Sequence, residues 1–273
     1  MKVLLTNDDG IQATGLNAMR RALLGLPDVE LAVIAPDSNR SASGRSITTR
    51  APLWVEEVEF DDGTTGHATE GTPVDCVRFA ALGLVESPPD LIVSGINHGA
   101  NLGDDITYSG TVAAALEGIV LGIPAIAVSQ QVDRGAMDFR EHGDWQTRDF
   151  EAAAAFAARM VEELADVPMP PGTLLNLNCP AGEVSGATAC RLGKRIYSDD
   201  RLELHEEDAG RKRYRIYGDR PGYQEDEGTD FAAVAAGLIA VTPLHFDLTD
   251  QAGIEKLAGF DLAALMAPAA RQV

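Results

Sequence analysis

Short aliphatic runs recur along the first two-thirds of the chain, at residues 3–6, 31–34, 91–94, 125–128 and 174–177. Runs this short, apolar at consecutive positions, suit parallel strands covered on both faces. Between them the apolar positions shift to helical spacing, predicting helices over 14–24, 73–84, 110–118 and 149–164. The clearest helical period is in "DFEAAAAFAARMVEELAD". Strands and helices in alternation predict an α/β fold with a doubly wound, mostly parallel sheet. Ligands of such sheets sit beyond the carboxyl ends of the strands. The pattern breaks near residue 191. "RLGKRIYSDDRLELHEEDAGRKRYRIYGDR" alternates on either side of the turn signal Asp208-Ala209-Gly210 and reads as a long β-hairpin. It is either a solvated surface ribbon or an oligomerisation arm, because an isolated two-stranded ribbon is marginal in water. "TDFAAVAAGLIAVTPL" then returns to helix and strand, and "DLAALMA" predicts a final helix. The expected organisation is a core over 1–190, a hairpin arm over 191–225, and a return strand with C-terminal helix over 226–273.

Composition narrows the function. The 273 residues, 45% of them hydrophobic, can bury a sizeable core. No basic-then-apolar leader opens the chain, and no apolar run reaches the roughly 18 residues needed to cross a bilayer. Cys76, Cys179 and Cys190 form no C-x-x-C pair, which fits a reducing cytoplasm and no structural zinc. A net charge of −20 argues against nucleic-acid polymers and anionic membranes as partners. A small anionic substrate remains compatible if a metal, a helix N-terminus or a few basic side chains supply local positive charge.

The candidate chemistry gathers at strand ends. Asp8 and Asp9 follow the first strand; "PDLIVSGINHGANLGDD" brings Ser94, Gly95 and Asn97; "VIAPDSNRSASGRSIT" brings Ser38, Ser41, Ser43 and Ser46. Taken alone, the aspartate pair also reads as a polar turn. Carboxylate, amide and hydroxyl oxygens together suit Mg²⁺, Mn²⁺ or Ca²⁺ rather than zinc, and the spacing is not that of an EF-hand. Ser109-Gly110-Thr111 opens the helix that continues in "VAAALEG". It reads as an ordinary N-cap or, in its glycine-punctuated setting, as a phosphate cradle facing the metal. The chain has no G-x-x-x-x-G-K-[ST], G-x-G-x-x-G or G-x-S-x-G motif. Among five histidines only His98 lies within a motif, and it reads as structural or supporting rather than catalytic.

These segments together closely resemble the survival protein SurE family of metal-dependent nucleotidases. The matching stretches are "LLTNDDGI", "APDSNRSASGRSIT", "EGTPVDCV", "SGINHGANLGDDITYSGTVAAALEG" and "GTDFAAVAAGLIAVTPL", spanning residue 3 to about 249. The resemblance implies a Rossmann-like core, a projecting hairpin, and a homodimer or homotetramer. It implies a phosphomonoesterase acting on nucleoside 5′- and 3′-monophosphates, with short polyphosphate as an additional candidate substrate. One divalent metal per subunit is implied, Mg²⁺ or Mn²⁺, with Ca²⁺ an alternative occupant in a crystal. Carried over by position, the metal ligands are Asp8, Asp9, Ser41 and Asn97, with Asp8 or Asp9 as proton acceptor. Asn39, Gly95 and Ser109-Gly110-Thr111 fall at the phosphate, and Gly71 and Thr72 of "GTPVDC" at the substrate cleft. Gln12 and Thr14 stand where the family often has His and Pro, which alters the entrance loop. The poorly matched "RGAMDFREHGDWQTRD" reads as a variable surface loop. Two rivals are a covalent haloacid-dehalogenase-type phosphatase, whose D-x-D is broken by Gly10, and a non-enzymatic nucleotide-binding module.

Overall fold

A computed structural model describes residues 1–137, 148–164, 169–197, 201–216, 221–262 and 265. In chain order the strands are β1 (Lys2–Thr6), β2 (Glu30–Pro36), β3 (Val55–Glu59), β4 (Thr65–Thr69), β5 (Leu91–His98), β6 (Ala125–Gln130) and β7 (Thr173–Cys179). There follow β8 (Gly186–Ala189), β9 (Arg195–Ile196), β10 (Glu203–Asp208), β11 (Arg211–Arg215), β12 (Gly222–Tyr223) and β13 (Leu238–His245). The helices are α1 (Thr14–Leu24), α2 (Pro73–Ala81), α3 (Gly110–Val120), α4 (Glu151–Glu163), α5 (Asp230–Ala235) and α6 (Gln251–Ala258).

Among the described residues nine strands form one sheet, ordered β3-β4-β2-β1-β5-β6-β7-β13-β8. Its centre is parallel: β1 pairs with β2 on one side and β5 on the other, and β5–β6–β7 continue in the same sense. The chain winds outward from β1 to β2, then crosses back to β5. The switch point therefore lies between the carboxyl ends of β1 and β5, where α/β sheets open a ligand crevice.

Both faces are covered, as the aliphatic runs require. Val3 and Leu5 join Leu16 and Met19 of α1 and Ala154 and Ala157 of α4 on one face. Leu4 points the other way, toward Val77 of α2 and Val112 and Ala115 of α3. That alternation follows from the two-residue period of a strand. Each fully buried Leu contributes roughly 1.5–3 kcal/mol.

The five anticipated strands and four anticipated helices are present, with ends shifted by a few residues. The helix expected to reach 84 stops at Ala81, with Leu82 as its C-cap and Gly83 following at φ +103°. Residues 165–168, just past α4, lie outside the described residues, as does most of the stretch 134–149 read as a surface loop. The expected final helix at 261–267 also falls largely outside them; the described C-terminal helix is α6, which buries none of its residues. The edge hairpin β3–β4 and strand β8 were not anticipated.

In the expected arm, β10 and β11 pair through Ala209-Gly210, both at positive φ (46° and 80°), as a type I′ turn requires. Residues 198–200 and 217–220 of the anticipated hairpin, Tyr217 among them, are outside the described residues. Every described residue of the two strands is exposed. One strand is acidic and the other basic, joined by Glu206–Arg213 (3.0 Å) and Glu207–Lys212 (3.6 Å). At the base of the arm, the buried Arg195 guanidinium bonds the Asp105 carboxylate and the Met137 carbonyl and covers the Phe231 ring at 4.6 Å. Tyr197 donates to the same Asp105 at 2.7 Å.

Candidate active site

Strand β1 delivers Asp8 and Asp9 to the switch point. The Asn7 side chain closes the turn, donating to the Gly10 carbonyl at 3.0 Å and accepting the Gly10 N–H at 3.2 Å. Asp8 is buried. It accepts the Thr111 hydroxyl at 2.5 Å and a backbone N–H from Gly110. Asp9 accepts the Asn39 amide at 3.1 Å and the His98 backbone N–H at 3.0 Å. The residues that hold the pair in place are thus neutral donors. Burial lifts both carboxyls well above the ordinary carboxylate range; the neighbouring Asp9 charge lifts Asp8 further, against the Thr111 and Gly110 bonds.

The start of α3 lies directly on Asp8. A Cβ at Gly110 would stand 2.7 Å from the Asp8 Cβ and 2.8 Å from Oδ2, so only glycine allows this approach. The hydroxyls of Ser109-Gly110-Thr111 have partners within the protein. The Thr111 hydroxyl, anticipated as a phosphate grip, orients Asp8, and the Ser109 hydroxyl caps α3 by accepting the Val112 N–H at 3.1 Å.

The other anticipated residues separate into those near the pair and those behind it. Asn39 reaches Asp9 and accepts the Ser41 N–H at 2.9 Å, tying the exposed Ser41 to the pair. Asn97 sits on β5 beside His98, its amide donating to the Gly99 carbonyl at 2.8 Å. Gly95 answers to packing: at φ +137° its missing Cβ would lie 2.2 Å from the Val128 carbonyl of β6. Thr72 is the N-cap of α2 in a capping box with Asp75, and its hydroxyl donates to the Ser46 carbonyl at 2.9 Å. Gly71 packs against Asp75. These two buttress the loop above the site.

His98 belongs to the support, as its sequence setting suggested. Its Nε2 accepts the Gly15 N–H at 3.3 Å and its ring stacks on Phe150 at 5.1 Å. Burial, with the Arg148 charge next, pushes the imidazole down to about 4. The neutral ring therefore carries its proton on Nδ1, which lies 3.9 Å from Asp9 Oδ2. Gln12 and Thr14 line a polar cavity of about 770 Å³ that also includes Arg20 and Arg148. A second, apolar cavity of about 420 Å³, near Ile119, Pro124 and Met169, opens at the amino ends of the strands, far from the carboxylates.

Sequence reasoning missed Arg45 and Glu117, which meet across the loop at 2.7 Å. They are 72 residues apart, and no local spacing announces such a pair.

A buried pair of carboxylates held by neutral donors fits a hard divalent cation, which would restore the ionised forms that burial disfavours. Among the described residues no three His, Cys, Asp or Glu side chains could share one ion. Any cation here rests on the two carboxylates completed by amide and hydroxyl oxygens.

Residues 3–199 match the family model described as "Survival protein SurE". A "5′-nucleotidase SurE" of Rubrobacter xylanophilus is 52% identical over 97% of this chain and 99% of its own. Another of that name, from Geobacter sulfurreducens, is 44% identical over 97% and 95%. The crystal structure of the Sure protein from Aquifex aeolicus superposes with a TM-score of 0.76 at 38% identity, covering 94% of this chain and 100% of that one.

Proposed function

Because the chain belongs to the survival protein SurE family, we propose that it is a metal-dependent 5′-nucleotidase hydrolysing nucleoside monophosphates at the β1–β5 switch point. The observation that carries the reading is the buried Asp8–Asp9 pair, both carboxyls raised and both held by neutral donors. Nucleoside 3′-monophosphates and short polyphosphate, which present the same phosphate end, are further proposed substrates.

A divalent cation, Mg²⁺ or Mn²⁺, held by Asp8, Asp9, Ser41 and Asn97 would polarise the phosphoryl group and lower the pKa of a water. The chain's own residues do the rest. Thr111 and Gly110 fix the rotation of Asp8; Asn39 and the His98 N–H fix Asp9. One of the two carboxylates accepts a proton from the attacking water as its oxygen bonds phosphorus. The P–O bond to the nucleoside breaks on the opposite side, and the departing oxygen takes a proton from solvent water to leave as the alcohol. The N-terminus of α3 adds partial positive charge, which a protein of net charge −20 needs beside a phosphate. Asn39 and the backbone around Ser109–Thr111 are the proposed phosphate contacts.

Phosphate release from a panel of 5′- and 3′-mononucleotides tests this. Turnover should vanish with EDTA and return with Mn²⁺ or Mg²⁺. No turnover with any mononucleotide would leave a binding module, and a trapped aspartyl-phosphate would indicate a covalent phosphatase.

We further propose a division into core (1–190), arm (191–225) and return segment (226–273), a reducing cytoplasmic location, and assembly as a homodimer or homotetramer through the arm. Supporting the arm's role, Leu202, Leu204, Tyr214 and Ile216 are all exposed on it. Supporting the location, all three cysteines are free. Among the described residues no helix is long and apolar enough to cross a membrane. Replacing 201–216 with a short Gly-Ser turn should lower the mass measured by light scattering. An unchanged mass would make the ribbon surface decoration.

A further inference from the structure

Residues 37–54 form no helix or strand, yet they carry Asn39 and Ser41 to the carboxylate pair. An irregular segment of this length keeps one shape only if its side chains or backbone are tied elsewhere. At its start the Arg40 N–H bonds the Asp8 carbonyl at 2.7 Å, and in its middle the Gly44 N–H bonds the Tyr108 carbonyl at 3.2 Å. Toward its end Thr48 gives both its N–H and its hydroxyl to Asp75, at 3.0 and 2.8 Å. Between these ties the Arg45 side chain, 33% exposed, turns its tip toward α3. The Arg45 guanidinium reaches Glu117 on α3 at 2.7 Å and lies over the Phe246 ring at 4.7 Å.

Glu117 is 1% exposed and meets a second guanidinium, Arg78 of α2, at 2.6 Å. Its helix begins at Gly110, whose backbone touches Asp8. One buried carboxylate therefore joins the irregular side of the site, the loop, to its helical side, the first turn of α3. We propose that Arg45 and Glu117 form a positioning latch that holds Asn39 and Ser41 in register with Asp8 and Asp9. The proposal rests on the reading of Ser41 as a ligand of the cation and deepens it. Neither latch residue touches substrate or metal; both act through the loop.

The arrangement supplies its own comparator. Removing either arginine leaves Glu117 with one cationic partner, so neither change strands a buried charge. Only Arg45 belongs to the loop. Supporting residues around metal ligands typically change metal affinity by about 10–100-fold. Arg45→Met should therefore weaken Mn²⁺ binding, read by calorimetry without substrate, about tenfold or more. Hydrogen exchange of the amides of 39–48 in metal-free protein should quicken in the same variant. Arg78→Met should leave Mn²⁺ affinity within about twofold of the parent and loop exchange unchanged. Arg45→Lys, which keeps the charge without the planar fork, should recover part of the affinity. Equal effects of Arg45→Met and Arg78→Met, or parental affinity and exchange in Arg45→Met, would overturn the latch. If the unmodified protein binds no Mn²⁺, the metal reading fails, and the exchange comparison still decides the latch.

Discussion

Asp8→Asn is expected to raise the melting temperature of the metal-free protein at pH 8 while removing nearly all turnover. The two effects have one cause. A carboxyl whose folded-state pKa lies above its ordinary value of 3.8 favours the folded state fully only below that value. Its contribution is lost as pH rises toward neutrality, because the folded protein must then hold the ionised form in a buried place beside Asp9. Asn removes that burden, and its hydrogen bonds can be rearranged. The Asn oxygen can accept the Gly110 N–H, and the Thr111 hydroxyl can turn to accept the new amide hydrogens. The gain should be on the order of 2 kcal/mol at pH 8 and shrink toward zero near pH 4. Turnover should fall about 10³-fold or more, since a charged ligand and a candidate proton acceptor disappear together. A melting temperature below that of the parent at pH 8 would show that Asp8 is not destabilising in the metal-free fold.

Gly110→Ala is expected to cost about 10²–10³ in kcat/KM with the fold intact, a loss of the size that an ångström of misplacement produces. Alanine is the better helix former, so α3 itself gains from the change. The loss comes from the new methyl group, which meets the Asp8 side chain at under 3 Å and pushes the carboxylate out of line. Rotation can move the carboxylate but not the Asp8 Cβ, so the first turn of α3 must also shift by a few tenths of an ångström; circular dichroism should stay near the parent while the melting temperature falls. The same substitution at Gly95 provides the contrast. There the methyl group would meet the Val128 carbonyl at 2.2 Å, inside the sheet and at a φ of +137°. Backbone cannot rotate aside, and Gly95→Ala should fail to accumulate as folded protein. Full activity in Gly110→Ala would show that Asp8 needs no such close support.

What the sequence disclosed depended on whether a feature is local. Strands buried on both faces announce themselves as aliphatic runs, so β1, β2, β5, β6 and β7 were legible. The edge strand β3, "VEEVE", has only Val55 and Val58 half-buried, and α6 buries nothing; neither pattern stands out from solvated chain. Asp8, Asp9 and Asn97 could be located because strand ends converge in a doubly wound sheet. Thr111 shows the limit. Its place near a helix start suggests an anion contact, and no local signal announces the bond from its hydroxyl to Asp8, 103 positions away. Glu117 likewise reads as one more polar residue in an alanine-rich helix until Arg45 and Arg78 are seen on either side of it.

The order of the outer strands also governs how the chain can assemble as it is made. Strand β13 lies between β7 and β8, antiparallel to the first and parallel to the second. The core from β1 to β7 can therefore form while synthesis continues, but its last edge stays open, and β8 waits without a neighbour. That edge, "TLLNLNC", would present a row of unpaired backbone N–H and C=O groups, the kind of surface that pairs with other chains. Only when residues 238–245 arrive is it covered, joining β8 to the sheet at the same moment. A chain stopped before this segment would keep that edge unpaired, so the last strand closes the sheet and removes its most exposed pairing surface together.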